Sequence, residues 1–140
     1  MPVTSSVLVR DPVDAYELAA AAAGAAGLPP PAGGWHLYDF GAVSTLQADE
    51  EPDTAVAVSV EFAAGGDGLP RGEDKQRPEG YALVGFVTTG SDTAADRLHH
   101  QHLAAALGPW LRQRTLRWCW QYDGEPWDTG PPARPSRGAD

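Results

Sequence analysis

Residues 55–62 read AVAVSVEF, and this alternation decides the fold class. Successive side chains of a β-strand point to opposite faces, so the three valines and Phe62 share one face. Alanine, serine and glutamate occupy the other face. A strand with one apolar and one polar face is typical of an antiparallel sheet whose core lies on one side. We therefore predict such a sheet with this strand in it.

Further strands are predicted on both sides of this segment. Residues 35–46 alternate imperfectly between apolar and polar types, which we interpret as one strand kinked at Gly41. Residues 6–9, 81–89 and 115–122 are rich in Val, aromatic and other strand-forming residues. The sheet is thus expected to have four to five strands.

Residues 64–80 read AGGDGLPRGEDKQRPEG and lack any apolar periodicity. We interpret them as a long flexible hairpin loop, a type of segment that is often functional. Residues 129–140 have a Pro- and Gly-rich composition that favours a disordered tail. The predicted organisation is one α+β domain over residues 1–128, followed by this tail.

Two helices are predicted. The first begins at Pro12 after the potential cap Asp11 and ends at Gly27, because Gly suits the left-handed position after a helix. The second covers residues 93–113, where Thr93 and Asp96 have the spacing of a capping box. At 100° per residue its apolar stripe contains Leu103, Leu107 and Trp110, flanked by His99, Ala106 and Leu111.

The predicted element order is β-α-β-β-β-α-β, with both helices covering one face of the antiparallel sheet. A ferredoxin-like core with one extra strand fits this order. From the first helix onward, the order helix, three strands, helix, strand resembles that of small phage tail-terminator and tail-completion proteins. The first strand departs from that pattern. The resemblance implies a structural component that assembles into a ring lined by long hairpin loops.

Composition excludes several classes of function. The 140-residue chain has a formal net charge of −9, which would repel nucleic-acid phosphates. Its longest apolar run, residues 18–28, is far shorter than the ~20 residues that a membrane-spanning helix requires. A single Cys119 and the absence of a secretory signal at the N-terminus favour the cytoplasm. We expect neither nucleic acid nor membrane as a partner.

Residues 96–102, DRLHHQH, are the most concentrated chemical signal. His99 and His102 are close enough on a helix to share a metal, and Asp96 can reach His99 or His100, as a general-base pair would require. His36 supplies the only further histidine. Against a site, the spacing matches no established metal motif. The alternative places His99 beside the core, His100 at the edge of the stripe and His102 near solvent.

The aromatic residues are expected to divide between core and surface. Trp118 and Trp120 alternate with Arg117, Cys119 and Gln121, so we place both tryptophans in the core. Trp127 follows the strand in a Pro-containing segment and is the predicted exposed anchor for a partner. Cys119 is expected to be an inert buried thiol with a raised pKa.

Four carboxylates surround Pro52 in the predicted turn between two strands: Asp49, Glu50, Glu51 and Asp53. They lack the alternating spacing of a calcium loop, so a solvated turn is the default interpretation. As a cluster of exposed charge, they are the predicted partner-binding surface together with Trp127.

No nucleophile elbow, phosphate loop or dinucleotide fingerprint is present, and no cofactor is expected. The leading hypothesis is a non-enzymatic interaction or assembly module that binds a protein partner or itself. It would be a phage-tail-like structural component or an acidic immunity or antitoxin protein. The alternative is a cofactor-free or His-dependent enzyme with a ferredoxin-like dimeric fold. Its pocket for a small aromatic molecule would be lined by Trp110, His99, His36 and Tyr38.

Overall fold

A computed structural model describes residues 3–28, 34–48, 56–70, 77–89 and 93–128. These residues form an α+β fold with two α-helices and a six-stranded antiparallel sheet. The elements in chain order are β1 Val3–Val9, α1 Ala15–Ala25, β2 Trp35–Asp39, β3 Val43–Ala48, β4 Val56–Ala63, β5 Ala82–Thr88, α2 Thr93–Gln113 and β6 Trp118–Tyr122. The predicted strand count of four to five was therefore wrong, whereas the bounds predicted for the second helix are confirmed.

The additional strand comes from residues 35–46, which form the hairpin of β2 and β3 rather than one kinked strand. Phe40 donates its N–H to the carbonyl oxygen of Val43 at 2.9 Å, and the carboxylate of Asp39 accepts the N–H of Gly41 at 2.9 Å. Gly41 has a φ of +91°, a conformation that side-chain-bearing residues rarely adopt. This glycine therefore lets the chain reverse direction instead of bending.

The strand order in the sheet is β2-β3-β4-β5-β1-β6. Both helices pack on one face, here called the helix face, over the buried valines of β1, β4 and β5. One apolar residue of each strand lies in register across this face: Leu37, Leu46, Val60, Val84, Val7 and Trp120. We call this set the apolar row. Its last five members are buried, whereas Leu37 on β2 is 52% exposed.

The start of α1 corrects the sequence prediction. Asp14, not Asp11, is the N-cap, because its carboxylate accepts the N–H of Glu17 at 3.0 Å and the helix begins one residue later. Asp11 instead accepts the backbone N–H of Arg117 at 2.7 Å and pairs with its guanidinium at 2.8 Å. Aspartate is a favoured N-cap residue at either position. Asp11 is bound to the distant Arg117, and Asp14 caps the helix.

The chain leaves α2 through a strained residue. Leu116 donates its N–H to the carbonyl of Leu111 at 2.9 Å, and Thr115 between them has a φ of +53°. A β-branched residue in this left-handed conformation costs about 1 kcal/mol or more, which glycine avoids.

We expect Thr115→Gly to raise the free energy of unfolding in urea by about 0.5–1 kcal/mol. Gln113→Gly, still inside the helix, should lower it by about 1 kcal/mol; equal losses for both variants would contradict this account.

The face of the sheet opposite the helices is partly covered by a loop. Leu8 and Cys119 are fully buried there beside Leu69, which comes from the described part of the 64–80 loop. Leu69 donates its N–H to Gly80 at 2.8 Å, so both ends of this loop are joined over the sheet. As predicted, burial raises the pKa of the Cys119 thiol, here to about 11.

None of the helices in the described ranges has the length and apolar character needed to cross a membrane.

Candidate functional site

The outer edge of β6 is covered by the chain that follows it. The backbone N–H of Trp120 donates to the carbonyl oxygen of Asp128 at 3.0 Å, and the backbone N–H of Asp128 donates to the carbonyl oxygen of Trp120 at 2.8 Å. A tight turn at Asp123 and Gly124, with φ values of +44° and +78°, brings this segment back. An Asp-Gly pair is a strong hairpin signal, and our sequence interpretation missed it. The middle of this edge is therefore already paired.

The outer edge of β2 is different, because within the described ranges no segment pairs with it. Phe40 is hydrogen-bonded to Val43, and hydrogen-bonded pairs alternate along an antiparallel ladder. His36 and Tyr38 therefore direct their backbone groups toward β3. The N–H and C=O groups of Trp35, Leu37 and Asp39 point outward, which gives this edge six backbone groups aimed away from the sheet.

Most side chains along this edge are also exposed, whereas Trp35 is half-buried against the core. Leu37 is 52% exposed, Tyr38 47% and Phe40 72%. Leu37 continues the apolar row beyond the part of the helix face that the helices cover. We call Trp35–Asp39 together with Phe40 the β2 edge. Natural sheets commonly protect such an edge with charges, proline or a covering segment, because an open edge can accept another strand.

A second feature is a buried polar network on the helix face. Asp96 on α2 accepts hydrogen bonds from the hydroxyls of Thr88, at 2.6 Å, and Tyr122, at 2.9 Å. The imidazole of His100 has Nε2 at 2.8 Å from Thr88 Oγ1 and Nδ1 at 2.5 Å from Ser5 Oγ. All five side chains are buried, and His100 and Ser5 are fully enclosed.

One arrangement of protons satisfies every member of this network. Thr88 and Tyr122 donate to Asp96, His100 Nε2–H donates to Thr88, and the Ser5 hydroxyl donates to Nδ1 of His100. It requires an ionised Asp96 and a neutral His100.

The electrostatics of the network agree with this assignment. Burial alone would raise the pKa of Asp96, but the hydrogen bonds from Thr88 and Tyr122, and the nearby His100, lower it overall. Burial lowers the pKa of His100, against the opposing effect of Asp96. Burial and the contact with Asp96 raise the pKa of Tyr122 to about 12, so this phenol keeps its proton.

The network contains a serine, a histidine and an aspartate, but its geometry is not that of a nucleophilic site. Ser5 and His100 are fully buried, so no substrate reaches the hydroxyl. One surface cavity of about 300 Å³ lies beside the start of α1, and another of about 650 Å³ lies beside Arg10 and Arg117. Neither is lined by a network residue, and we interpret the network as a structural element.

The network predicts a loss of stability in mild acid. A histidine whose folded pKa is lowered binds its proton more readily when unfolded, so its contribution is complete above the ordinary pKa of 6.5 and decreases as the pH falls. The lowered pKa of Asp96 adds a further loss at pH values below its ordinary 3.8. We expect the free energy of unfolding in urea to decrease from about pH 7 to about pH 5.

His100→Gln should flatten this part of the pH profile, because the titrating group is gone. His102→Gln is the matched control on the exposed side of α2 and should retain the decrease. Equal slopes for the two variants would show that His100 is not the group responsible.

The structure places the predicted histidines on two separate elements, α2 and β2. His99 and His102 are both exposed on α2. His36 neighbours Leu37 on β2 and therefore lies on the face opposite the helices, at the far edge of the sheet. The structure does not bring His36 and His99 together. No group of three His, Cys, Asp or Glu residues in the described ranges could hold a metal ion.

Within this cluster the pairing of Asp96 is with His100, whose Nε2 lies 3.5 Å from the carboxylate. His100 was predicted at the edge of the stripe but is fully buried. The buried stripe of α2 is rotated toward Asp96, His100, Leu103, Ala104, Leu107 and Leu111, which leaves Trp110 only half-buried. The capping-box spacing predicted a local contact for Asp96 within the first turn of α2. Its carboxylate instead accepts hydrogen bonds from Thr88 and Tyr122, which belong to two different strands.

The predicted partner-binding residues have a mixed placement. Trp127, predicted to be an exposed anchor, is half-buried against the cluster of Leu8, Leu69 and Cys119. Asp49, Glu50, Glu51 and Asp53 lie outside the described residues. Trp118 and Trp120 are buried, as predicted.

Comparison with known proteins gives no family for this chain. No protein-family model, curated protein or solved structure matches it.

Proposed function

We propose that this chain is a non-enzymatic protein-interaction or assembly module and that the β2 edge is its contact surface. The observation that carries this proposal is the end of the apolar row. The row is buried across five strands and ends at Leu37, which is half-exposed on a strand with outward-pointing backbone groups.

Strand addition explains why such an edge would be useful. An incoming strand gains main-chain hydrogen bonds along the edge, and alternate side chains determine which strand fits. Leu37 offers an apolar contact on the helix face, while Tyr38 offers an aromatic contact on the other face. At the opposite edge of the sheet, Trp120 in the middle of β6 already pairs with Asp128, which favours a defined contact at the β2 edge over indiscriminate pairing at both edges.

Between the two kinds of module, the charge of the β2 edge favours assembly. The segment GWHLYDFGA, residues 34–42, contains one acidic residue, Asp39, in a chain of net charge −9. A protein that masks a basic enzyme would present acidic groups at its contact surface. A near-neutral, apolar edge suits a structural component of the phage-tail-like kind better than an immunity protein. The near-neutral β2 edge is also unsuited to binding nucleic acid.

We further propose that β1, β4, β5 and β6 form a ferredoxin-like core. The order β6-β1-β5-β4 places the first strand between two others, and α2 connects the strands that flank it. On this view β2 and β3 are an added hairpin that extends a four-stranded core. The hairpin carries the β2 edge, so the addition and the proposed contact surface coincide.

The enzyme alternative has less support. Its pocket required His36, Tyr38, His99 and Trp110 to converge, whereas the His36 side chain lies on the sheet face opposite α2, the helix that carries His99. The serine, histidine and aspartate that do converge are enclosed in the core.

Site-specific photo-crosslinking in the native cells tests the proposal. A photoreactive residue at position 38 should give a protein adduct of defined mass, which Leu37→Pro in the same chain should abolish. The matched control is the same residue at Leu98, which is 40% exposed on α2. Equal adducts from both positions, or adducts that survive Leu37→Pro, would show that the β2 edge is not the contact surface.

A further inference from the structure

We propose that β2 pairs with β2 of a second copy of this chain, antiparallel and about a two-fold axis at Leu37. This inference rests on the proposed function and names its partner. The paired sheet would contain twelve strands, with the helices of both copies on the same face.

The backbone of the β2 edge is complementary to itself in this register. The outward groups belong to Trp35, Leu37 and Asp39, which are evenly spaced about Leu37. Antiparallel pairing centred there places Leu37 opposite Leu37, and Trp35 opposite Asp39 on each side. All three positions then become hydrogen-bonded pairs, so the outward N–H and C=O groups of both copies are satisfied together.

The side chains agree with the same register. Residues directly opposite each other share a face, so the two Leu37 side chains meet on the helix face and join the two apolar rows into one. On the other face Tyr38 lies opposite His36 of the second copy. A shift by one residue would place Leu37 opposite Tyr38 of the second copy. The outward N–H and C=O groups of Leu37 would then face a residue whose own backbone groups point toward β3, so they could not form hydrogen bonds with it.

Charge favours this surface over the rest of an acidic molecule. Asp39 is the single acidic residue of the segment 34–42, and in this register it lies opposite Trp35 rather than opposite a carboxylate. Two copies of net charge −9 still repel each other at long range, so higher salt should strengthen the dimer.

Sedimentation velocity on the purified full chain measures the dimer. Because a five-residue strand gives an interface smaller than the ~1,200 Å² of standard complexes, we expect dimers to form at roughly 0.1–1 mM rather than at low micromolar concentration. Raising the salt to about 1 M, where screening is nearly complete, should lower the dissociation constant.

Leu37→Pro is the diagnostic variant. The N–H of Leu37 points away from β3, so proline removes an intermolecular donor without removing a bond of the hairpin. We expect the dissociation constant to rise at least ~10-fold, and Leu37→Lys, which places two charges at the two-fold axis, should act in the same direction. Leu98→Lys is the matched control and should leave the dimer unchanged. Circular dichroism of each variant checks that it remains folded.

Cysteine cross-linking tests the register. In the proposed pairing the two Cα atoms of residue 37 lie about 5.5 Å apart, within the range of a disulfide, whereas those of residue 38 lie about 7–8 Å apart. Leu37→Cys should therefore form a covalent dimer under oxidation, and Tyr38→Cys should form much less. The native Cys119 is fully buried and should contribute little background.

The outcomes separate this inference from the proposed function. A chain that stays monomeric at about 1 mM in high salt overturns the self-pairing. If it also gives an adduct with a different protein from position 38, the interaction module stands and its partner is that protein. Dimers that Leu37→Pro and Leu37→Lys leave unchanged would mean that another surface associates, and the self-pairing through β2 would be wrong.

Discussion

Replacing Asp96 by alanine should lower the free energy of unfolding by about 3 kcal/mol, because each buried donor left without a partner costs about 1–3 kcal/mol. The carboxylate accepts the hydroxyls of Thr88 and Tyr122, and both lose their acceptor in the interior. His100 keeps its contact with Thr88 but loses the nearby negative charge. Urea denaturation at pH 7 measures the change.

Two conservative variants make this result interpretable if Asp96→Ala fails to fold. Tyr122→Phe removes one donor and one bond and should cost about 1 kcal/mol. Thr88→Val removes the hydroxyl that links Asp96 to His100 and should cost more, about 1–3 kcal/mol. The matched surface control is Glu61→Ala, an exposed carboxylate on β4, which should change stability by less than about 0.5 kcal/mol. An Asp96→Ala variant as stable as Glu61→Ala would contradict the network.

Gly80→Ala should lower the free energy of unfolding by about 1–3 kcal/mol, the usual cost of overpacking a closed contact. A Cβ atom at this position would lie 2.5 Å from the Leu8 side chain and 2.9 Å from the carbonyl oxygen of Val9. Leu8 is fully buried, so it has little room to move, and the carbonyl belongs to the backbone of β1. The loop end must lift away from the sheet to accept the methyl group.

Gly24→Ala is the matched control for this substitution. Nothing lies within 4 Å of a Cβ atom at Gly24, which is exposed inside α1. Alanine favours a helix over glycine, so this variant should gain about 0.5–1 kcal/mol. Thermal unfolding of both variants gives the comparison. If Gly80→Ala were as stable as the unmodified chain, the loop would not lie against β1 as described.

Local sequence patterns predicted β4 and the second helix closely. The alternating valines around Val58 predicted β4 within one residue at each end, and residues 93–113 were predicted as the second helix. The hairpin of β2 and β3 was missed because Gly41 was interpreted as a kink. Its turn lacks an Asn-Gly pair, although Asp39 two residues before Gly41 is a turn signal that could have been used.

The polar network could not be predicted from local patterns. His100 and Asp96 are ionisable residues that normally lie on the surface, and periodicity alone does not place them in the buried stripe. Their partners are far away in sequence: Ser5 is 95 residues from His100, and Tyr122 is 26 from Asp96. The β2 edge was likewise invisible, because which strands end at the edge of a sheet depends on the strand order rather than on their own residues.

Amide hydrogen exchange of β2, measured by NMR at low and high protein concentration, tests the central claim most directly. At about 20 µM the chain should be monomeric, because the β2 interface is smaller than the ~1,200 Å² of standard complexes, so the outward amide of Leu37 should exchange fast while the β3-bonded amide of Tyr38 is protected. At about 1 mM in high salt, Leu37 should become protected together with Trp35 and Asp39. Fast exchange of Leu37 under both conditions, with Tyr38 still protected, would show that the β2 edge stays unpaired and would contradict the proposed self-association.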